Sequence, residues 1–236
     1  MRLVLLSNST NYGTGYLEHA ADPIRELFRD LRRVLFVPFA LHDQEAYWQR
    51  AHKRFAELGI ELDRLREGPE APHVVREARG IFVGGGNTFR LLDRLHRSGL
   101  VKVIRGRARA GVPYLGASAG TVIASPTIRT TNDMPIVQPH SFESLDLVPF
   151  QINCHYLDPD PSSRHMGETR DQRLREYLEE NSPPVLSLRE GALLHVVDDG
   201  AMRVTLSGSA GARLFRRGSD PVELAPGASL DYLAPE

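Results

Sequence analysis

Gly116-Ala117-Ser118-Ala119-Gly120 follows the apolar run Val112-Pro113-Tyr114-Leu115 and precedes a short helical pattern, Thr121 to Ala124. A serine on a tight strand-to-helix turn sits in a strained backbone conformation, and bulky neighbours would clash there. In that context G-x-S-x-G reads as a nucleophile elbow, with the N–H after the serine aimed at a developing oxyanion. The alternative is a flexible small-residue loop without chemistry, since short motifs also arise by chance.

A second segment, Ile81-Phe82-Val83-Gly84-Gly85-Gly86-Asn87-Thr88-Phe89, puts three glycines where a buried strand ends and a helix begins. Exposed N–H groups at such a turn favour an anion. A dinucleotide loop fits poorly, because Phe89 stands at the last glycine of G-x-G-x-x-G and no P-loop lysine follows. A donor from Gly86 opposite the N–H of Ala119 would form an oxyanion hole.

A serine nucleophile needs a base, and the base needs an orienting acid. His155 ends the apolar run Gln151-Ile152-Asn153-Cys154, the position at which open parallel sheets place functional groups. The competing view is a histidine that ends a strand by chance. Cys154 is a poor rival nucleophile, because neighbouring strand residues point to opposite faces. His195, in a late strand pattern, and the remaining histidines are treated as background. Two carboxylates compete for the orienting role: Glu190, before Gly191, and Asp133, in the polar stretch Thr130-Thr131-Asn132-Asp133. Either could instead be an ordinary turn acid.

These groups need a scaffold, and the first half of the chain supplies one. Strands are expected at Leu3–Leu6, Arg33–Pro38, Ile60–Leu65, Gly80–Val83 and Val112–Leu115. Helical spacing covers Tyr16–Leu31, Asp43–Leu58, Asn87–Ser98 and Leu100–Ala110. Uniformly apolar strands alternating with helices predict an α/β fold: a mostly parallel sheet with helices on both faces. After the strand at Gln151–His155 come a Pro/Asp/Ser loop at Asp158–Ser163 and a charged helix at Glu168–Glu179. From Val185 onwards, short alternating runs and turn signals predict an antiparallel meander at one edge.

The chain has 236 residues, enough for one large core, and without a linker or repeat residues 1–236 read as a single domain. Lys plus Arg number 29 against 30 Asp plus Glu, so no basic surplus points to nucleic acid or to an anionic membrane. No apolar run is long enough to span a bilayer, and the start reads as a buried strand rather than a signal peptide. The single Cys154 excludes an intrachain disulfide and a cysteine-based zinc site, and fits a cytoplasmic location.

Six segments taken in order resemble the peptidase E family of aspartyl dipeptidases. They are Ser-Asn-Ser-Thr at 7–10, Val-Gly-Gly-Gly-Asn-Thr-Phe at 83–89, Ser-Ala-Gly at 118–120, Pro-Thr-Ile-Arg-Thr-Thr-Asn-Asp-Met-Pro-Ile-Val at 126–137, Gln-Ile-Asn at 151–153 before His155, and Gly-Glu-Thr-Arg at 167–170. The 126–137 block is the most specific of them. The resemblance implies a fold like the class I glutamine amidotransferases and hydrolysis of dipeptides that begin with aspartate. It implies Ser118 as nucleophile, His155 as base, Glu190 as orienting acid and Asp133 as a further acid of the active site. Gly86 and Ala119 match the oxyanion-hole positions, and Asn87 and Thr130 are further substrate-binding candidates. No cofactor or metal is implied, the partner is a small peptide, and a homodimer is expected.

Aspartate specificity calls for a cation, and a guanidinium grips a carboxylate in a planar fork. Arg170 is the candidate, with Arg129 its main competitor; Arg170 could otherwise be a surface residue paired with Glu168 or Asp171. The loop at 157–166 has the length and Pro/Ser content of a lid. The sequence departs from the family pattern at Ala117, where an aromatic residue is expected, and at Cys154 and Arg189, where prolines are expected. A cyanophycinase-like acidic peptidase is the nearest rival, although Gln is expected there in place of Thr88. A non-catalytic binding module on the same sheet is the rival of another class. An α/β-hydrolase esterase fits less well, since only His195 is available late in the chain.

Overall fold

The computed structural model describes residues 1–160, 162, 164 and 166–234. Five strands alternate with helices: β1 (Arg2–Leu6), β2 (Arg33–Val37), β3 (Glu61–Arg64), β4 (Ile81–Val83) and β5 (Tyr114–Ala117). They pair in parallel in the order β3-β2-β4-β5-β1. The sheet has two buried faces because its strands alternate apolar side chains to both sides. Val4, Leu6, Phe36, Phe82 and Leu115 meet α1 (Ala21–Leu27) and α2 (Gln44–Glu57). Leu3, Leu5, Leu35, Val37 and Ile81 meet α3 (Ala71–Glu77), α4 (Thr88–Arg97) and α5 (Leu100–Arg109). Phe82 stacks between Phe36 and Phe55 at centroid distances of 4.7 and 5.3 Å, each pair adding about 0.5–1.5 kcal/mol beyond area burial. A short helix, α6 (Ala119–Val122), follows β5 directly.

The later chain divides between two sheets. β6 (Gln151–Asn153) and β7 (Val185–Leu188) pair in parallel, while β8 (Ala192–Asp198) and β9 (Met202–Gly208) form a hairpin that pairs antiparallel with β1. This hairpin is the expected edge meander of the main sheet. β10 (Ala212–Phe215) and β11 (Val222–Leu224) instead join β7 and β6 in a separate sheet, ordered β11-β10-β7-β6. The turn at Gly191, with φ +86°, carries the chain from one sheet to the other. Between β6 and β7, α7 (Arg170–Glu180) packs Leu174 and Leu178 against Tyr156, Val185 and Phe215. Its start is a capping box of Thr169 and Gln172.

Two local expectations change. The first helix is confined to Ala21–Leu27, because residues 9–18 turn back on themselves: Leu17 has φ +54° and its N–H donates to the Ser9 carbonyl. The helix at Ala71–Glu77, with proline in its first turn, was not among the expected elements. The expected lid loop includes Pro161, Ser163 and His165, which lie outside the described residues. Among the described residues, no helix is long and apolar enough to cross a membrane.

Candidate active site

Strand register brings three segments to one edge. Leu6 pairs with Ala117 and Val83 with Gly116, so Ser7, Ser118 and Gly84 leave the carboxyl ends of three adjacent parallel strands side by side. Ser118 has φ +49° and ψ −107°, outside the regions that non-glycine residues favour. Such a conformation costs on the order of 1–3 kcal/mol and persists only where the surroundings hold it. Here the Ser118 N–H donates to the Leu6 carbonyl at 3.0 Å, and the Ser118 carbonyl accepts from Thr121 and Val122 at 2.8 and 2.9 Å. Thr121 Oγ1 also donates to the Leu6 carbonyl, at 2.7 Å.

The flanking glycines are sterically required. A Cβ at Gly116 would lie 2.6 Å from the Gly120 carbonyl oxygen, and one at Gly120 would lie 2.1 Å from the Val83 carbonyl oxygen. The glycine turn after β4 packs on the same serine: a Cβ at Gly85 would sit 3.1 Å from Ser118 Cβ. Gly86 has φ +133°, and a Cβ there would come within 2.8 Å of the Ala40 carbonyl oxygen. Among the described residues, no group accepts a hydrogen bond from the N–H of Gly86 or Ala119.

The candidate base and acid arrive from the second sheet. Asn153 pairs with Ser187, so the chain ends beyond β6 and β7 emerge next to each other, carrying His155 and Glu190. Ser118 Oγ lies 2.8 Å from His155 Nε2, and His155 Nδ1 lies 2.8 Å from Glu190 Oε1. Protonated at Nδ1, the ring donates to the carboxylate and offers Nε2 as acceptor to the serine hydroxyl. His155 itself has φ +54°. Its N–H donates to Ser7 Oγ at 3.0 Å, and the Ser7 hydroxyl donates to the Leu188 carbonyl at 2.9 Å. The Gly191 N–H, next to Glu190, donates to Asn8 Oδ1 at 2.9 Å. Ser7 and Asn8, directly after β1, thus hold the segments that carry His155 and Glu190. Sequence reasoning assigned them no role; polar residues directly after a buried strand were the available signal.

Asp133 stands elsewhere. Its Oδ2 accepts from the N–H and hydroxyl of Thr88 at 2.7 and 2.5 Å and from Thr131 Oγ1 at 3.2 Å. It sits at the N-terminus of α4, where the unpaired N–H groups favour an anion, and makes no hydrogen bond to His155 among the described residues. Asn87 caps the same helix, accepting from the Arg90 N–H, and its Nδ2 donates to the Met134 carbonyl at 2.8 Å. Thr130 is buried and its hydroxyl donates to the Ile152 carbonyl at 3.0 Å. The polar groups of both expected substrate contacts are therefore engaged within the protein.

Arg170 has neither of the acid partners considered for it. Glu168 pairs with Arg173 at 3.5 Å and Asp171 with Arg213 at 2.8 Å. Arg170 Nη1 instead donates to the neutral Asn132 Oδ1 at 2.5 Å, and Asn132 Nδ2 donates to the Cys154 carbonyl at 2.7 Å. One side chain thus links the guanidinium to the residue before His155. Burial, and then Arg173, hold the Arg170 guanidinium below its ordinary range. Arg129 is exposed and lies 5.1 Å over the Phe142 ring. Cys154 is buried, with Sγ 3.7 Å from the Ser118 carbonyl oxygen. Burial, and then the Asp133 charge, push its thiol far above the ordinary range, which leaves it unreactive. No cluster of three or more His, Cys, Asp or Glu among the described residues could hold a metal ion.

Comparison with known proteins places the chain in a family. The model of peptidase family S51 matches residues 3–204. A Streptomyces coelicolor protein named "Peptidase E" is 54% identical, over 99% of this chain and 95% of its own length. A Drosophila melanogaster protein named "Probable alpha-aspartyl dipeptidase" is 46% identical, over 98% and 96% respectively. The solved structure of a peptidase from an acI-B1 actinobacterium superposes with a TM-score of 0.73 at 20% identity, covering 97% of this chain and 96% of that one, and so shares the fold. The chain belongs to peptidase family S51.

Proposed function

We propose that the protein is a serine dipeptidase that releases an N-terminal aspartate from Asp-X dipeptides, with Ser118, His155 and Glu190 as its catalytic residues. The observation that carries the proposal is the pair of 2.8 Å contacts linking Ser118 Oγ, His155 and Glu190. His155 Nε2 takes the hydroxyl proton as Ser118 Oγ attacks the peptide carbonyl, and the Nδ1 contact with Glu190 stabilises the imidazolium. The oxyanion forms toward the N–H groups of Gly86 and Ala119. The imidazolium returns the proton to the leaving amine as the peptide bond breaks. A water, deprotonated by His155, then attacks the acyl-serine ester; as the ester bond breaks the imidazolium returns that proton to Ser118 Oγ, freeing the aspartate.

Specificity follows from two charges. The Arg170 guanidinium takes the substrate's β-carboxylate. Asp133, whose Oδ1 receives no hydrogen bond from the described residues, takes the free amine. The name of the Drosophila relative, "Probable alpha-aspartyl dipeptidase", supports the same substrate class. On the family resemblance we also propose a cytoplasmic, single-domain homodimer; a concentration-independent monomer in sedimentation would contradict the dimer.

The test is a fluorophosphonate probe together with Asp-Leu, Glu-Leu and Ala-Leu assayed side by side. The wild-type chain should be labelled at Ser118 and cleave Asp-Leu best. Ser118→Ala should lose labelling and about three or more orders of magnitude in turnover, with an unchanged circular dichroism spectrum. Near-normal turnover in a pure Ser118→Ala sample would end the serine-peptidase reading.

A further inference from the structure

Both side chains of the His155–Glu190 contact are open to water, 41% and 52% exposed. Exposed ion pairs are weak and mobile, so something else must keep the ring and the carboxylate in line. The residue before Glu190 is Arg189, and three residues after His155 stands Asp158. Arg189 Nε and Nη2 donate to the two oxygens of Asp158 at 2.7 and 2.6 Å, a two-point fork. The same Nη2 reaches Glu223 on β11 at 3.0 Å. The guanidinium lies 5.5 Å from the Tyr156 ring centroid, and only 22% of the Arg189 side chain is exposed. Glu223 also pairs with Arg213 on β10 at 3.0 Å. Arg213 in turn binds Asp171, the residue after Arg170, at 2.8 Å.

Resting on the function proposed above, we infer that Arg189 is a positioning residue that locks the chain segment bearing His155 to the segment bearing Glu190. The fork ties position 189 to position 158, so the two backbones cannot separate without breaking two charge-assisted hydrogen bonds at once. The backbone supplies the rest of the brace: the Tyr156 N–H donates to the Leu188 carbonyl at 3.0 Å. Among the described residues Arg189 makes no hydrogen bond to Ser118 or to the ring of His155, and its effect passes through the alignment of Glu190.

Turnover, Michaelis constant and probe labelling of Arg189→Met, Arg189→Lys, Asp158→Asn and the Arg189→Met/Asp158→Asn pair test this, each variant first checked by thermal melt to be folded at the assay temperature. Arg189→Met should lower kcat for Asp-Leu and the labelling rate of Ser118 about tenfold while KM stays within twofold. Arg189→Lys, which keeps the charge and loses the fork, should recover part of that loss. Asp158→Asn should lower kcat by several-fold, and the double variant should be no slower than Arg189→Met alone, because both changes break one contact. A folded Arg189→Met with wild-type kcat and labelling, or losses that multiply in the double variant, overturns the assignment. A wild-type chain that neither hydrolyses Asp-Leu nor takes the probe marks failure of the underlying serine-peptidase reading, and the assignment falls with it.

Discussion

The two halves of the candidate site are held by different forces. The Ser118 half is built into the core: Ala117 and Ala119 are buried, and the turn is pinned by backbone hydrogen bonds and by glycines that leave no room for a methyl group. The His155–Glu190 half lies at the rim of the smaller sheet, half open to water, and is held by hydroxyl bridges, an amide and a charged network. Close packing acts at short range and ignores salt and pH. Exposed charge pairs respond to both. The strained Ser118, the proposed nucleophile, therefore sits on a rigid base, while the proposed proton-handling groups sit on a support that solution conditions can loosen.

The most severe way to break this contrast is Gly120→Ala. Its Cβ would lie 2.1 Å from the Val83 carbonyl oxygen, a clash that neither backbone can relieve. We expect a loss of about 3 kcal/mol in urea unfolding together with loss of probe labelling. A variant of wild-type stability would show that the elbow is far less tightly packed. On the other half, Glu190→Gln should leave stability nearly unchanged and lower kcat by about 10²-fold or more, because the amide no longer balances an imidazolium. Asp133→Asn should instead raise KM and change kcat less than tenfold. The reverse pattern in steady-state kinetics would exchange the two acids.

An effect of similar size, read in specificity, is expected from Arg170→Met. Losing the charge-assisted contact should cost about 2–5 kcal/mol in kcat/KM for Asp-Leu and erase the preference for Asp over Asn at the first residue. If the preference survives by the same factor, Arg129 is the next residue to change.

The smallest effect is the acid response of the rim. Arg189 holds the Asp158 carboxyl below the usual carboxylate range. A depressed folded-state value means that the pair stabilises the fold above the unfolded value, about 3.9. That contribution is lost as pH falls through the lower folded value. With 54% of the Asp158 side chain exposed, its size is that of a surface pair, about 1 kcal/mol at most. Urea midpoints of wild type and Arg189→Met should differ at about pH 6 and converge as the pH falls below the folded value. A gap that persists in acid would mean that Arg189 stabilises the protein by packing on Tyr156 rather than by charge.

Chemistry that depends on neighbours in sequence could be read from the chain alone. The elbow needs glycines two residues either side of Ser118, the turn at Gly84–Gly86 needs freedom from side chains, and alternation of apolar strands with helices dictates a covered parallel sheet. These are steric and burial rules that operate over a few residues, so spacing exposes them. The choice between Glu190 and Asp133 was open at that level, since both are acids beside turn residues. Strand order separates the two in space: β6 lies next to β7, which puts Glu190 at His155, while Asp133 is drawn to the N–H and hydroxyl of Thr88, 45 residues away in the chain. Ser7 under His155, Asn132 beneath Arg170 and the fork between Arg189 and Asp158 were equally hidden. Each joins residues 31 to 148 positions apart, and a polar side chain finds such a partner only after the sheets have set which loops meet.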